Sequence, residues 1–325
     1  MTSPDPIPTA ELHLHLEGTL EPELLVALAR RNGIRLASDD VEELRARYVF
    51  DDLQAFLDVF YDNYRVLLTE EDFYDLGRAY LARARAGGVV HAEAFTNAMP
   101  LMERGVPLEA ILGGYRRAFA EARTDGFSCE LIFAISRDRG EETGIEVLRR
   151  ALAFRDDFIG IGLDSTEVGY PPHLYGTLFG IAASEGLHRV AHAGEEGGPE
   201  YVRDSIDLLH VERIDHGTRS VEDPDLVRKL VDEGIAVTAC PLSNVALKVV
   251  PSVDEHPLRE LLEAGVRVTV NSDDPAYFGG YVDDNFRALR ASGYTDDELR
   301  RLARNSFDAA FVDDARRAQL HALLG

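Results

Sequence analysis

The chain is short of several things, and each shortage narrows what it can be. Only two cysteines occur, Cys129 and Cys240, far apart and in apolar surroundings. That excludes a disulfide framework and a cysteine-rich metal site. Lysine is almost absent: Lys229 and Lys248 are the only two, and arginine supplies the remaining side-chain cations. Cations as a whole are outnumbered, 34 Lys+Arg against 58 Asp+Glu, for a formal charge of −24. An acidic surface repels phosphate backbones and anionic lipid, so nucleic acid and membranes are poor partners. No apolar run approaches the roughly 20 residues that span a bilayer. The stretch from Met1 to Ala10 has neither the basic nor the apolar part of a secretory leader, and a cytoplasmic enzyme is expected. With no sequence repeat, low-complexity tract or linker, residues 1–325 read as a single domain.

What is present is enough apolar residue for a large core, 45% of the chain. It is arranged as a recurring pair: a short β-rich apolar run, then an amphipathic helical stretch. Eight runs can be read: Glu11–Leu16, Val89–Phe95, Cys129–Ser136, Phe158–Asp164, His188–Gly194, Arg213–His216, Ile235–Cys240 and Val266–Asn271. Short, mostly apolar runs fit parallel strands buried on both faces. The helical stretches carry proline near the start and glycine past the end. Examples are Pro22–Arg31 before Gly33, Pro107–Thr124 before Gly126 and Pro224–Glu233 before Gly234. Strands alternating with helices predict an α/β fold, and eight repeats predict closure into a (β/α)8 TIM-type barrel. Residues 21–85 are too many for one crossover helix and predict two or three helices inserted after strand 1, bordering the mouth of the barrel.

The chemistry-bearing residues fall at the strand ends. His13 and His15 are one residue apart in the first run. Side chains at i and i+2 of a strand share a face, so both imidazoles can reach one ion; two half-buried histidines bonded to backbone would have the same spacing. His192 and Glu195 follow the fifth run, His216 ends the sixth, and Asp273 and Asp274 follow the eighth. Singly, each has an ordinary structural reading, and paired aspartates before Pro275 suit a turn and helix cap. Together they occupy the C-terminal strand ends, where barrel enzymes build their active sites. Three imidazoles and a carboxylate suit zinc, which as a catalytic ion keeps a position open for water. The ligand set is read as His13, His15, His192 and Asp273, with Glu195 and His216 as acid–base groups and Asp274 as an orienting carboxylate. Two-metal barrel hydrolases commonly bridge their ions through a carbamylated lysine on a mid-chain strand. Lys229 falls in a helix and Lys248 in a loop, so one zinc per chain is expected.

These motifs resemble the adenosine/adenine deaminase family of amidohydrolases. The residues that carry the resemblance are Ala10 to Thr19, His192-Ala193-Gly194-Glu195, Asp215-His216-Gly217, Cys240 to Asn244 and Asn271 to Pro275, in the family's order along almost the whole chain. Gly162 to Gly169, followed by Pro171-Pro172, and Pro275 to Tyr281 look most like the adenine deaminases. So does Glu17, where adenosine-specific members often carry an aspartate that reaches the ribose. The resemblance implies hydrolytic deamination of a 6-aminopurine, adenine to hypoxanthine and ammonia, with a small-molecule purine as partner. It implies that Glu195 protonates N1 and Asp274 binds N7. His216 would help deprotonate the water and stabilise the forming alkoxide, and Gly162 or its neighbours would offer a backbone amide to N3. Glu17, Ser165 and Glu167 would close the pocket against ribose. Phe95 to Pro100 departs from the Phe-Asp-Pro-Gln segment usual in adenine deaminases. If that loop lines the pocket, Met99 beside Phe95 would favour adenines bearing an apolar group. Rival readings are adenosine or a modified adenine as substrate, another barrel hydrolase, and a barrel that binds without catalysis; loss of a ligand or of Glu195 would favour the last. The paired H-x-E and P-C-x-x-C signature of nucleic-acid base deaminases is missing. Association of copies of the chain is left open.

Overall fold

The computed structural model describes residues 6–123 and 126–325. Eight parallel strands pair in strict sequence order: β1 (Thr9–Glu11), β2 (Val89–Thr96), β3 (Ser128–Ser136), β4 (Gly160–Asp164), β5 (His188–Ala193), β6 (Arg213–His216), β7 (Ala236–Ala239) and β8 (Arg267–Val270). Helices cross over between them on the outside, as parallel pairing requires. The expected (β/α)8 barrel is therefore the fold. Helix Pro22–Asn32 stops at Gly33 (φ 66°) and helix Pro224–Glu233 at Gly234 (φ 67°), left-handed caps that cost glycine nothing. The expected Thr124 end of the third punctuated helix lies outside the described residues; the helix is described over Leu108–Arg123.

Two expectations change. The first strand was expected over Glu11–Leu16, but its regular ladder ends at Glu11, and Leu12 to Leu16 form the seam of the barrel instead. Here Leu14 bridges Asp273 and His15 bridges Phe95. The His15 amide donates to the Asp273 carbonyl (2.9 Å), and the Asp273 amide to that of His13 (3.1 Å). The sheet thus closes through the very residues whose side chains matter. The insertion after β1 contains four α-helices rather than two or three: Pro22–Asn32, Val41–Arg45, Leu53–Asn63 and Glu70–Ala86. The extra starts come from Asp40 and Asp52, whose carboxylates cap backbone amides of Glu42, Glu43 and Ala55.

Across the barrel floor, β2 and β6 are linked by a fully buried ion pair, Glu93 to Arg213 at 2.6 Å. The other guanidinium nitrogen donates to the Leu12 carbonyl (3.1 Å), and His91 approaches Glu93 at 3.2 Å. Burial alone would raise the Glu93 carboxyl, but Arg213 and His91 override it and hold it at about 2. Because that value is depressed, the pair stabilises the fold above the ordinary carboxylate range and loses its contribution as pH falls towards 2. Arg213→Met should cost about 3–5 kcal/mol at pH 7, by leaving a buried carboxylate unpaired. Urea unfolding should show the gap to wild type closing as pH falls below about 4.5; a gap independent of pH would show that packing, not charge, matters there.

Candidate active site

The seam brings together the residues the sequence singled out. His13, His15, His192 and Asp273, all buried, direct one ligand atom each into a group no more than 4.8 Å across. Nε2 of His192 lies 3.1 Å from Nε2 of His13 and 3.2 Å from that of His15. Asp273 Oδ1 lies 3.3 Å and 3.5 Å from the same two His13 and His15 atoms. Four donors that each lie about 2.0–2.2 Å from one ion stand roughly 3–4 Å apart, so these separations fit zinc. The donors' chemistry agrees. His13 Nδ1 donates to the Thr238 hydroxyl (3.0 Å), which donates to Asp215 (2.9 Å). His15 Nδ1 donates to the Asn97 amide oxygen (2.8 Å), whose amide nitrogen is occupied by Asp164. Both rings therefore present a bare Nε2 lone pair to the same point, an arrangement only a cation satisfies.

The electrostatics point the same way. Burial pulls His192 well below its ordinary range, reinforced by the neighbouring imidazoles, and pulls His15 down to about 4. Neutral rings are what a metal ligand requires; His13 is the exception, since burial would lower it but Asp273 and Asp215 outweigh burial and raise it. Burial would raise Asp273, but the imidazoles around it win and hold it ionised, while its Oδ2 accepts from Ser243 at 2.6 Å. Asp273 sits at φ 65°, His216 at 65° and Ser165 at 69°. Left-handed backbone is uncommon for such residues, and here it gathers at the site. The three ligand-capable groups among the described residues share members, so they form one site; the amines of Lys229 and Lys248 are tied to surface carboxylates.

Around the quartet stand Glu195, His216 and Asp274. His216 Nε2 is 3.5 Å from Glu195 Oε2 and 4.0 Å from Asp273 Oδ2. Burial, then the charge of Asp273, raises both Glu195 and Asp274 well above the usual carboxylate range. Glu195 Oε1 and Asp274 Oδ1 are buried with no partner among the described residues. Each thus offers a buried oxygen without a partner, in surroundings that favour the protonated form of the carboxyl group. Gly18 makes room for the second, since a Cβ there would come within 2.7 Å of the Asp274 Cα.

The residues read as specificity determinants divide. Ser165 lines the cavity above the quartet. Glu17 does not: its buried carboxylate accepts from the Asn97 amide (3.0 Å), Tyr115 (2.9 Å) and Thr96 (3.1 Å), and so anchors the end of β2. Glu167 also lies behind the wall, where it accepts from the amides of Gly194, Glu195 and Gly197 and fixes the loop bearing Glu195. Gly162 is buried in β4 beneath the Phe95 ring rather than lining the cavity. In the departing segment, Asn97 reaches the cavity, but Met99 turns into the core with its sulfur 3.4 Å from the Ser136 amide. Met99 therefore offers no contact to a substituent, which corrects that expectation.

The inserted helices border the mouth as expected, but the residues that roof the cavity were not named from sequence. Leu53, Phe56, Leu57, Phe60 and Tyr61 close the cavity from helix Leu53–Asn63, joined by Leu247 and Phe278. Their spacing, i, i+3, i+4, i+7 and i+8, is one face of a helix and was readable as such. What it packs against was not. Asp164, which also lines the cavity, went unassigned; burial raises it to about 7.

Comparison with known proteins bears on this geometry directly. A family model described as adenosine deaminase matches residues 8–324. A protein of Ectopseudomonas mendocina named adenine deaminase is 53% identical over 93% of this chain and 97% of its own. The crystal structure of an adenine deaminase from Arthrobacter aurescens superposes with a TM-score of 0.96 at 52% identity, covering 98% of each chain. An amidohydrolase from Burkholderia ambifaria, solved with bound Zn, gives a TM-score of 0.88 at 31% identity over 98% of this chain and 89% of its own. A match running from the seam strand to the last helix leaves no part of the fold outside the comparison: the chain belongs to the adenosine deaminase family.

Proposed function

We propose that this protein hydrolyses the exocyclic amine of adenine, taking up one water and releasing hypoxanthine and ammonia. The observation that carries the reading is a buried carboxyl group, Glu195, with one oxygen left without a partner beside a four-ligand cation site at the base of a roofed cavity, where burial and Asp273 favour its protonated form. One zinc per chain, held by His13, His15, His192 and Asp273, would lower the pKa of a water to about 7 and so supply the nucleophile. The chain's own groups do the rest. Glu195 gives its proton to N1, which draws electrons from C6 as the water oxygen adds. Asp274 donates to N7 and holds the ring in plane with Glu195. His216 faces the oxygen that becomes the carbonyl and stabilises its charge. The amine leaves as ammonia, carrying one proton of the added water, and the other proton of that water restores the Glu195 carboxyl group.

The base is read as free adenine because four of the five residues of the helix that caps the cavity, Leu53, Phe56, Leu57 and Phe60, offer ribose hydroxyls no partner, Tyr61 being the exception. Each hydroxyl desolvated without a partner costs about 1–3 kcal/mol. Adenine should therefore exceed adenosine in kcat/KM by roughly 30-fold or more for two such groups. Ammonia release measured across adenine, adenosine and N6-substituted adenines tests this; efficient adenosine turnover with adenine inert would refute it.

A further inference from the structure

His256 lies outside the cavity, fully packed, on the far side of Asn244 from His216. The three residues form a chain whose proton positions can be worked out from one unambiguous end. The backbone amide of Leu258 donates to His256 Nδ1 at 3.0 Å. A backbone N–H can only donate, so His256 Nδ1 bears no hydrogen and the ring proton is on Nε2. That N–H points at the Asn244 side chain, 3.0 Å away, so the atom it meets must be the amide oxygen. The Thr218 hydroxyl, 3.3 Å from the same oxygen, is a second donor to it. The amide nitrogen is thereby turned the other way, 3.3 Å from His216 Nδ1. A hydrogen on that Nδ1, in a neutral or a charged ring, would face the amide's own N–H.

We infer that Asn244 and His256 are positioning residues that fix the ring proton of His216 on Nε2, so that His216 meets the substrate as a hydrogen-bond donor. Of the two tasks that resemblance suggested for His216, this geometry keeps charge stabilisation and removes proton abstraction from the water, because Nε2 has no free lone pair in the resting enzyme. All four participants, His216, Asn244, Thr218 and His256, are at most 5% exposed, so no solvent competes for these bonds. What the donor faces rests on the deaminase reading; where the proton sits does not.

The test reads the proton directly. Two-bond proton–nitrogen correlation spectra of zinc-loaded protein, labelled at the histidine ring nitrogens, distinguish bare from protonated nitrogens. His216→Gln assigns the His216 signals by their loss. Wild type should show His216 protonated at Nε2; a signal for Nδ1–H would overturn the inference, and no substrate is needed to see it. Asn244→Asp keeps the shape but puts an acceptor where the amide nitrogen was. It should move the proton to Nδ1 and lower kcat by about 10²–10³-fold, the scale for losing one oxyanion donor, with KM little changed. Retention of Nε2–H with Nδ1 still bare in that variant would refute the inference whatever its activity. If Asn244→Asp does not fold, His256→Leu decides instead. It frees the amide to turn and should give both tautomers, whereas an unchanged Nε2–H signal counts against the relay.

Discussion

Glu195→Gln is expected to lower kcat by about 10²–10⁴-fold, the range for a positioned general acid, while metal content stays at the wild-type level. Glutamine matches the shape and keeps the backbone bond to Glu167, so the loop does not move. What it lacks is the proton. The wild-type carboxyl is available because burial and Asp273 raise it, and Glu195 lies outside the quartet of ligands, so the loss falls on chemistry alone. The sign of the pH dependence follows. A group active in its protonated form loses activity as pH rises through its pKa, so the wild type should show a descending alkaline limb in kcat/KM that the glutamine variant lacks. Steady-state rates from pH 5 to 10 with metal analysis of both proteins check this. Near-normal turnover in Glu195→Gln would remove Glu195 from the proton path.

His13→Ala should have the larger effect, loss of both the ion and measurable turnover. His13 is tied into the site from both ends: its Nε2 faces the His192 and Asp273 ligand atoms, and its Nδ1 reaches Thr238 and through it Asp215. Removing a partner behind a ligand typically costs 10–100-fold in metal affinity, and removing the ligand itself costs more. Elemental analysis should find about one zinc per wild-type chain and almost none in the variant, since no lysine is available to bridge a second ion. Two ions per chain, or a fully active enzyme without metal, would overturn the single-ion reading.

The sequence carried a good deal of this. Apolar runs and their punctuation are local, and local pattern is enough to count eight strands and to find the helix ends at Gly33 and Gly234. Residue type did the same for the site. Histidines and aspartates at four separate strand ends must meet once the sheet closes, because a barrel gathers all its C-terminal strand ends on one face. That is why residue type and strand position already place His13, His15, His192, Glu195, His216, Asp273 and Asp274 on one face.

What the sequence could not decide depends on which partner a residue meets from far along the chain. The ladder of β1 ends at Glu11 because Leu14 and His15 pair with Asp273 and Phe95 past the ends of their own strands, and nothing local encodes that register. Glu17 and Glu167 look like pocket residues in sequence, yet each turns to satisfy backbone amides behind the wall, since a buried carboxylate goes where donors converge. Met99 went into the core for the complementary reason, that an apolar side chain follows the available space. The roof is an ordinary amphipathic helix until the insertion folds back over the barrel mouth. Most of all, the state of His216 is set by a backbone amide at Leu258, two side chains removed. Residue identity places an imidazole in the site; only the tertiary arrangement of donors and acceptors decides which of its nitrogens carries the proton.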